Sequence, residues 1–291
     1  MLALIQKAGG QLNATNLQKL LFLFTRQQKE KSFDFVPFKY GCYSLQAKYD
    51  LSVMEKQELV EKLTSDNLSI WQTKTQTNYL KQLKPIDVSI LNSTFNRFGS
   101  FSTAELIHYT YIKYPYYAIN STIKEGVLNS LELERVNMQV KKNNEVKLFS
   151  IGYEGISLET YLNKLIINGV NVLCDVRKNP LSKKFGFSKT QLLNACNNVG
   201  IEYIHIPELG IISDKRKSLN SPNDYKVLFD EYKSATLKDN KESLNQIIQL
   251  VKQHKRIALT CFERTPSMCH RSRITEELKN SPYWKIPIKH L

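Results

Sequence analysis

The residues that most clearly suggest chemistry lie in one short segment, 259–273, where a predicted strand meets a predicted helix. Its reactive side chains, in chain order, are Cys261, Glu263, Cys269, His270 and Arg271. An apolar run predicts a buried strand that ends at the first cysteine, and a turn at Pro266 precedes the helix. Backbone amides and the helix dipole favour an anion at such a helix N-terminus. The segment therefore predicts an anion site, unless the cysteines are small core residues and the arginines a solvated face.

Polar side chains also follow three other predicted strands in the second half of the chain. They are Tyr153 and Glu154, then Asp175 and Arg177, then Glu208. Because the carboxyl ends of parallel strands meet at one sheet edge, we expect them to join the cysteine segment in one site. Apolar neighbours predict that the backbone of Asp175 is buried, so its carboxylate needs a partner, Arg177 or Arg271. The alternative for Asp175 and Arg177 is a purely structural ion pair.

Two sets of residues are predicted for this site. The catalytic candidates are Glu154, Asp175, Glu263 and His270. The substrate-binding candidates are Tyr153, Arg177, Lys183, Lys184, Phe187, Glu208, Cys261, Cys269 and Arg271.

Three function classes fit these residue types. The first is hydrolysis of an N-glycosidic bond in nucleic acid, which needs a carboxylate, a donor to the leaving base, a stacking aromatic and cations for phosphate. The second is rhodanese-like thiol transfer or phosphatase chemistry at Cys269 or Cys261, although Glu263 opposes ionisation of a thiol beside it. The third is a non-catalytic nucleic-acid or nucleotide sensor. The first is favoured, because acidic groups weaken phosphate binding unless they take part in chemistry.

The elements that must position these residues alternate between strand and helix after residue 146. Predicted strands lie at 146–152, 170–175, 201–206, 256–261 and 286–289, and predicted helices at 158–165, 189–199, 223–236, 241–253 and from 269. This alternation predicts an α/β fold with a mostly parallel, doubly wound, Rossmann-like sheet covered on both faces.

The first half predicts a mainly helical, winged-helix-sized domain with few strands. Predicted helices begin at Ala14, with Asn13 or Thr15 as the cap, and lie at 50–63, 74–94 and 103–112. The polar stretch 140–145 predicts a linker or a tight hairpin, which divides the chain into 1–145 and 146–291. We expect the first domain to bind nucleic acid or a protein partner.

A formal net charge of +14 over 291 residues predicts a polyanionic partner, most simply nucleic acid, with DNA favoured. Lysines concentrate around Lys183, Lys184 and Lys189, and again at Lys215–Lys217, with aromatic residues near them. The alternative is a lysine-rich chain that is basic without a specific partner.

Five scattered cysteines predict a reducing, cytoplasmic setting rather than a disulfide framework. Without paired CxxC spacing we expect no metal-ligand cluster, and we expect no cofactor. No apolar run reaches the roughly 18 residues of a membrane span, and the N-terminus does not resemble a signal peptide.

Five motifs occur in order across about residues 146–291. They are Ile151-Gly-Tyr-Glu-Gly155, Asp175-Val-Arg177, Asn179-Pro-Leu-Ser-Lys-Lys-Phe-Gly-Phe187, Glu208-Leu-Gly210 and Cys269-His-Arg271. Together they resemble the domain-of-unknown-function family 488, which implies an α/β fold and a site but no particular reaction.

Two motifs in the first half, Leu17-Gln-Lys-Leu-Leu21 and Phe38-Lys-Tyr-Gly41, resemble the Panacea domain of toxin-neutralising proteins in mobile and defence loci. A role in defence against foreign DNA is one hypothesis that follows. Cys42 stands where that family usually has proline after glycine, so the resemblance does not predict an antitoxin role.

Overall fold

The protein is described by a computed structural model. It describes residues 1–65, 68–140, 144–212, 219, 221–281 and 284–291. Contacts divide the chain into two compact units, Met1–Val140 and Lys141–Leu291. The centre of the proposed linker, 141–143, lies outside the described residues. Within the described ranges, no helix is both long enough and apolar enough to span a bilayer.

The N-terminal unit packs helices around small antiparallel sheets. The helices are α1 (Leu2–Lys7), α2 (Ala14–Thr25), α3 (Leu45–Lys56), α4 (Pro85–Phe98), α5 (Thr103–Lys113), α6 (Lys124–Val127) and α7 (Ser130–Asn137). The strands are β1 (Gln11–Asn13), β2 (Val36–Phe38), β3 (Gly41–Tyr43), β4 (Val60–Ser65) and β5 (Leu68–Thr73). One sheet has the order β1-β5-β4, and β2 pairs with β3 as a hairpin. The unit is mainly helical, as predicted.

Helix α2 forms the centre of this unit and begins where the sequence predicts. The side chain of Asn13 accepts a hydrogen bond of 2.8 Å from the amide of Asn16, which caps the helix. Leu17, Leu21 and Phe22 are then buried in the core. Burial of this apolar face, rather than helix propensity alone, stabilises the helix.

Two predicted helix ranges in this unit are wrong. Helix α3 ends at Lys56, because Glu58 adopts a left-handed φ of 58° and the chain then enters β4. The helix predicted over 74–94 begins only at Pro85, since proline lacks an amide hydrogen and suits the first helical position. Strand β4 begins inside the helix predicted over 50–63, and it pairs with β5, which lies at 68–73 where no element was predicted.

The C-terminal unit is an α/β domain, as predicted, and the described strands form one parallel sheet. They are β6 (Lys147–Gly152), β7 (Val172–Asp175), β8 (Glu202–His205), β9 (Arg256–Cys261) and β10 (Ile288–His290), in the order β10-β6-β9-β7-β8. The α-helices are α8 (Leu158–Ile167), α9 (Lys189–Asn197), α10 (Pro222–Glu231), α11 (Lys241–His254) and α12 (His270–Asn280). A π-helix, Tyr232–Leu237, continues α10.

Helices cover both faces of this sheet. On one face Leu259 packs in a core with Ile247 of α11 and Ile274 of α12. On the other face, the Tyr161 hydroxyl of α8 donates a 2.7 Å hydrogen bond to the hydroxyl of Thr260. The chain leaves β7 towards β8 but leaves β9 towards β10, so the strand order switches between β7 and β9. Ligand sites in open α/β sheets lie at such a switch point.

Candidate functional site

A cleft of 280 Å³ lies at the switch point, beyond the carboxyl ends of β7 and β9. Its lining residues are Tyr153, Arg177, Asn179, Leu181, Ser182, Lys183, Ile211, Cys261, Phe262 and His270. The volume lies near the lower end of ligand pockets, about 300 Å³, so the cleft has room for one small ligand unit. We call it the strand-end cleft.

Beneath this cleft lies a buried ion pair between Asp175 and Arg177. The Arg177 Nη2 and Nε atoms donate to the carboxylate at 2.5 and 2.8 Å, and the Tyr203 hydroxyl donates to it at 2.6 Å. Asp175 is fully buried. Burial lowers the pKa of Arg177, but the hydrogen bonds and charge of Asp175 outweigh burial and raise it overall. Arg177, one of the two predicted partners, therefore pairs with Asp175. The Asp175 carboxylate does not line the cleft.

Arg177 also fixes two aromatic residues, Tyr153, which lines the cleft, and Phe187, which does not. Its Nη1 donates to the Tyr153 hydroxyl at 2.9 Å and to the Phe187 carbonyl at 2.8 Å. The rings of Tyr153 and Phe187 stack at 4.2 Å with an interplanar angle of 9°. Both residues are buried. Burial raises the pKa of Tyr153. The facing surfaces of these two rings therefore cover each other.

The two predicted phosphate-binding lysines differ in their surroundings. Lys184 is half-buried, donates 3.0 Å to the Tyr153 carbonyl and lies over the ring of Phe187. Burial lowers the pKa of Lys184, and the nearby charge of Glu154 opposes that shift. Lys183 is exposed and lines the cleft. Lys183 is thus the better placed of the two to meet a ligand.

At the base of the cleft, two thiols surround one imidazole. His270 Nε2 lies 2.9 Å from the Val176 carbonyl oxygen, so Nε2 carries a proton and donates it. Its Nδ1 lies 3.5 Å from the Cys261 sulfur and 4.0 Å from the Cys269 sulfur. Cys261 also donates to a carboxylate oxygen of Glu263 at 3.2 Å.

Cys269 differs from a thiol nucleophile in its ionisation. Burial and the neighbouring Cys261 and Glu263 raise its pKa well above the ordinary value, although Arg271 opposes this. A raised pKa leaves Cys269 as a neutral thiol near pH 7, whereas a nucleophilic cysteine needs the thiolate.

Three side chains of metal-ligating types come together here, although the sequence spacing predicts no such cluster. The donor atoms of Cys261, Cys269 and His270 all lie within 4.8 Å of one another, and all three residues are buried. The sequence spacing does not reveal this cluster, because one cysteine ends β9 while the other stands at the N-cap position of α12, after an intervening loop.

Arg271 holds that intervening loop. Its guanidinium donates to the Glu263 carbonyl at 2.5 Å, to the Arg264 carbonyl at 3.0 Å and to the Ser150 hydroxyl at 3.2 Å. The side chain is buried. Gly152 allows the loop to pass close to the end of β6, because a β-carbon at position 152 would lie 1.9 Å from the Glu263 carbonyl oxygen. Arg271 positions the loop, and its charge lies behind the cleft.

Glu154 lies on the exposed rim of the site. Its carboxylate accepts a 2.9 Å hydrogen bond from the Arg264 amide, whose carbonyl is held by Arg271. Both side chains thus contact one residue, so their charged ends lie within about 10 Å of each other. Glu154 and Arg271 brace the same loop from two sides.

Glu208 lies in a second cavity. This space of 270 Å³ is also lined by Lys178 and by Tyr232 of the π-helix, and Ile211 borders both cavities. Glu208 therefore does not line the strand-end cleft. The predicted basic stretch Lys215–Lys217 lies outside the described residues.

Five residues of the cleft lining are not among those predicted from the sequence, namely Asn179, Leu181, Ser182, Ile211 and Phe262. Phe262 is 44% exposed, and its ring meets Tyr153 edge-on at 5.3 Å. It is the most exposed aromatic residue of the lining. Its place directly after β9, between Cys261 and Glu263, was the available signal.

Most of the C-terminal unit matches a known protein family. Residues 157–278 match the family described as "Domain of unknown function DUF488". This range contains β7, β8 and β9 and the cleft residues from Arg177 to His270, while Tyr153 precedes it. No curated protein matches the chain. The family predicted from the five motifs is thereby confirmed for the C-terminal half of the chain.

Proposed function

We propose that the α/β unit is a hydrolase that acts on nucleic acid, with DNA as the favoured substrate and the N-glycosidic bond of a base as its target. The observation that carries this proposal is the composition of the strand-end cleft. An exposed aromatic ring, Phe262, and a solvated cation, Lys183, border the same cavity as Cys261, which is hydrogen-bonded to Glu263.

Each of these groups has a role in the proposed reaction. The Phe262 ring stacks on the base, and this contact replaces the stacking that the base loses when it leaves its neighbours in the strand. Lys183 pairs with a flanking phosphate, and Asn179 can hydrogen-bond the base. Glu263 accepts a proton from the attacking water as the water oxygen bonds to the sugar carbon. The N-glycosidic bond then breaks, and the base leaves with the bonding electrons and takes a proton from solvent. Asp175 is fully paired with Arg177 and Tyr203 and takes no part in this step.

The test is incubation of the full chain with plain and base-modified DNA and RNA, followed by mass analysis of released bases and abasic sites. Glu263→Gln should lower the rate by about 10²–10⁴-fold, since it removes the general base. Glu202→Gln is the matched control: Glu202 is exposed at the amino end of β8, the opposite sheet edge.

A second variant separates Glu263 from the other predicted carboxylate. Glu154→Gln keeps an oxygen that can accept from the Arg264 amide, so this variant should retain most activity. Absence of base release from every substrate, with salt-dependent binding retained, would favour a non-catalytic sensor.

The second candidate is thiol chemistry at Cys261, favoured by the 3.5 Å contact between its sulfur and His270 Nδ1. A base within reach of a cleft-lining thiol is the arrangement of an activated cysteine. Thiosulfate with cyanide, and a generic aryl phosphate, test sulfur transfer and phosphatase activity. Turnover of either one, lost in Cys261→Ser but kept in Glu263→Gln, would replace the hydrolase proposal.

A further inference from the structure

The thiol–imidazole cluster has a feature that neither candidate reaction requires. Three donor atoms from Cys261, Cys269 and His270 converge within 4.8 Å, although the residues come from the end of β9 and the start of α12. We propose that these three side chains bind a zinc ion at the base of the strand-end cleft.

The distances fit a tetrahedral ion. Zinc binds sulfur at about 2.3 Å and imidazole nitrogen at about 2.0–2.1 Å, so ligand sulfur and nitrogen atoms should lie about 3.6 Å apart. The Cys261 and Cys269 sulfurs lie 3.5 and 4.0 Å from His270 Nδ1. These two distances need to change by no more than a few tenths of an ångström, and the two sulfurs lie within 4.8 Å of each other.

The imidazole is also oriented as a metal ligand. Metal-binding histidines usually donate their other ring N–H to a carbonyl or carboxylate, which fixes the ligating nitrogen. His270 Nε2 donates to the Val176 carbonyl at 2.9 Å and directs Nδ1 towards both sulfurs. Tyr232 packs edge-on against the ring at 5.6 Å and limits its rotation.

The three side chains leave one zinc coordination position without a protein ligand, and this position faces the cleft. Cys261 and His270 line the cavity, so the fourth position faces it and is available to water or to a ligand. Three protein ligands with one open position are the pattern of catalytic zinc, which lowers the pKa of bound water. This role in hydrolysis rests on the proposed function, whereas the metal site does not.

Metal analysis tests the site without an activity assay. The full chain is purified under reducing conditions, loaded with zinc and desalted, and its metal content is measured per chain. Wild type should hold about one zinc, the expected stoichiometry of a mononuclear site. Cys269→Ala should lose at least about nine-tenths of it, because a thiolate ligand is removed. Cys196→Ala, at a buried cysteine of α9 outside the cluster, should keep it.

Cobalt substitution gives a second readout that does not depend on the folding of a variant. Cobalt(II) bound by two thiolates in wild type should give intense near-ultraviolet absorption and visible bands of tetrahedral coordination. Less than about one-tenth of an equivalent of zinc in wild type, octahedral cobalt spectra, or a Cys261–Cys269 disulfide that persists in reductant would each overturn the proposal. Glu263→Gln should lose base release yet keep zinc, which separates failure of the function from failure of the site.

Discussion

At the scale of single residues, the charged groups with the strongest pairing at the strand ends are also the least accessible. Asp175 and Arg177 are both buried, and each makes several hydrogen bonds to the other or to neighbouring groups. Lys183, whose side chain makes none of the described hydrogen bonds, and Phe262 are exposed in the cleft lining. Residue type alone can select all four side chains as site candidates. Only their burial separates the pair that supports the structure from the two side chains that can contact a ligand.

The buried pair leads to a prediction about stability. Asp175→Asn should lower the free energy of unfolding by about 3–5 kcal/mol, since it leaves the Arg177 guanidinium buried without its counter-charge. Urea unfolding measures this change, with unchanged slope as the sign of two-state behaviour.

The same prediction has an internal control in a double variant. Asp175→Asn combined with Arg177→Met removes both charges, so it should be more stable than Asp175→Asn alone. Wild-type stability of the single variant together with loss of base release would instead assign Asp175 a catalytic role.

At the scale of elements, the alternation of side chains along a strand decides which groups meet. Asp175 pairs in register with Thr260, so it points to the α8 face, while Cys261 is one residue further and points to the α12 face. The sequence predicts the sheet edge, because strand ends can be read from apolar runs. It does not predict the face, because the register between β7 and β9 depends on pairing across the whole sheet.

The same limit applies to the other predicted elements. The strands and helices of the C-terminal unit were predicted within a few residues, since their apolar periodicities are long and clear. Strands β4 and β5 are not predicted, because strand preference depends on cross-strand neighbours, which the sequence does not give until the pairing is known.

Close packing between two elements gives a second prediction. Gly152→Ala at the end of β6 should destabilise the unit by about 1–3 kcal/mol, the usual range for overpacking. The added carbon would lie 1.9 Å from the Glu263 carbonyl oxygen, so the loop held by Arg271 must move. Base release should fall with stability, because Phe262 and Glu263 lie on that loop.

Thermal unfolding and urea titration measure this effect. Gly126→Ala is the matched control, since a β-carbon there meets nothing within 4 Å. Equal stability of both variants would show that the loop yields freely and that Gly152 does not fix the cleft.

At the scale of the whole molecule, the net charge of +14 determines long-range attraction to polyanions, while the cleft determines what is held. Charge of this size draws nucleic acid to many parts of the surface, and such binding weakens with salt in proportion to the phosphates neutralised. Total affinity therefore cannot identify the site. A comparison of two lysines on opposite edges of one sheet can.

Lys183→Glu should weaken binding of single-stranded DNA more than Lys252→Glu does, although both change the net charge equally. Lys183 lines the cleft, whereas Lys252 is exposed near the carboxyl end of α11, which leads into the amino end of β9. Removing a phosphate contact should reduce the slope of log affinity against log salt by about 0.7 for a single strand. Fluorescence anisotropy at several salt concentrations measures both quantities, and circular dichroism checks the fold. Equal losses from the two variants would mean that nucleic acid binds through diffuse charge alone, and the cleft would then need a different ligand.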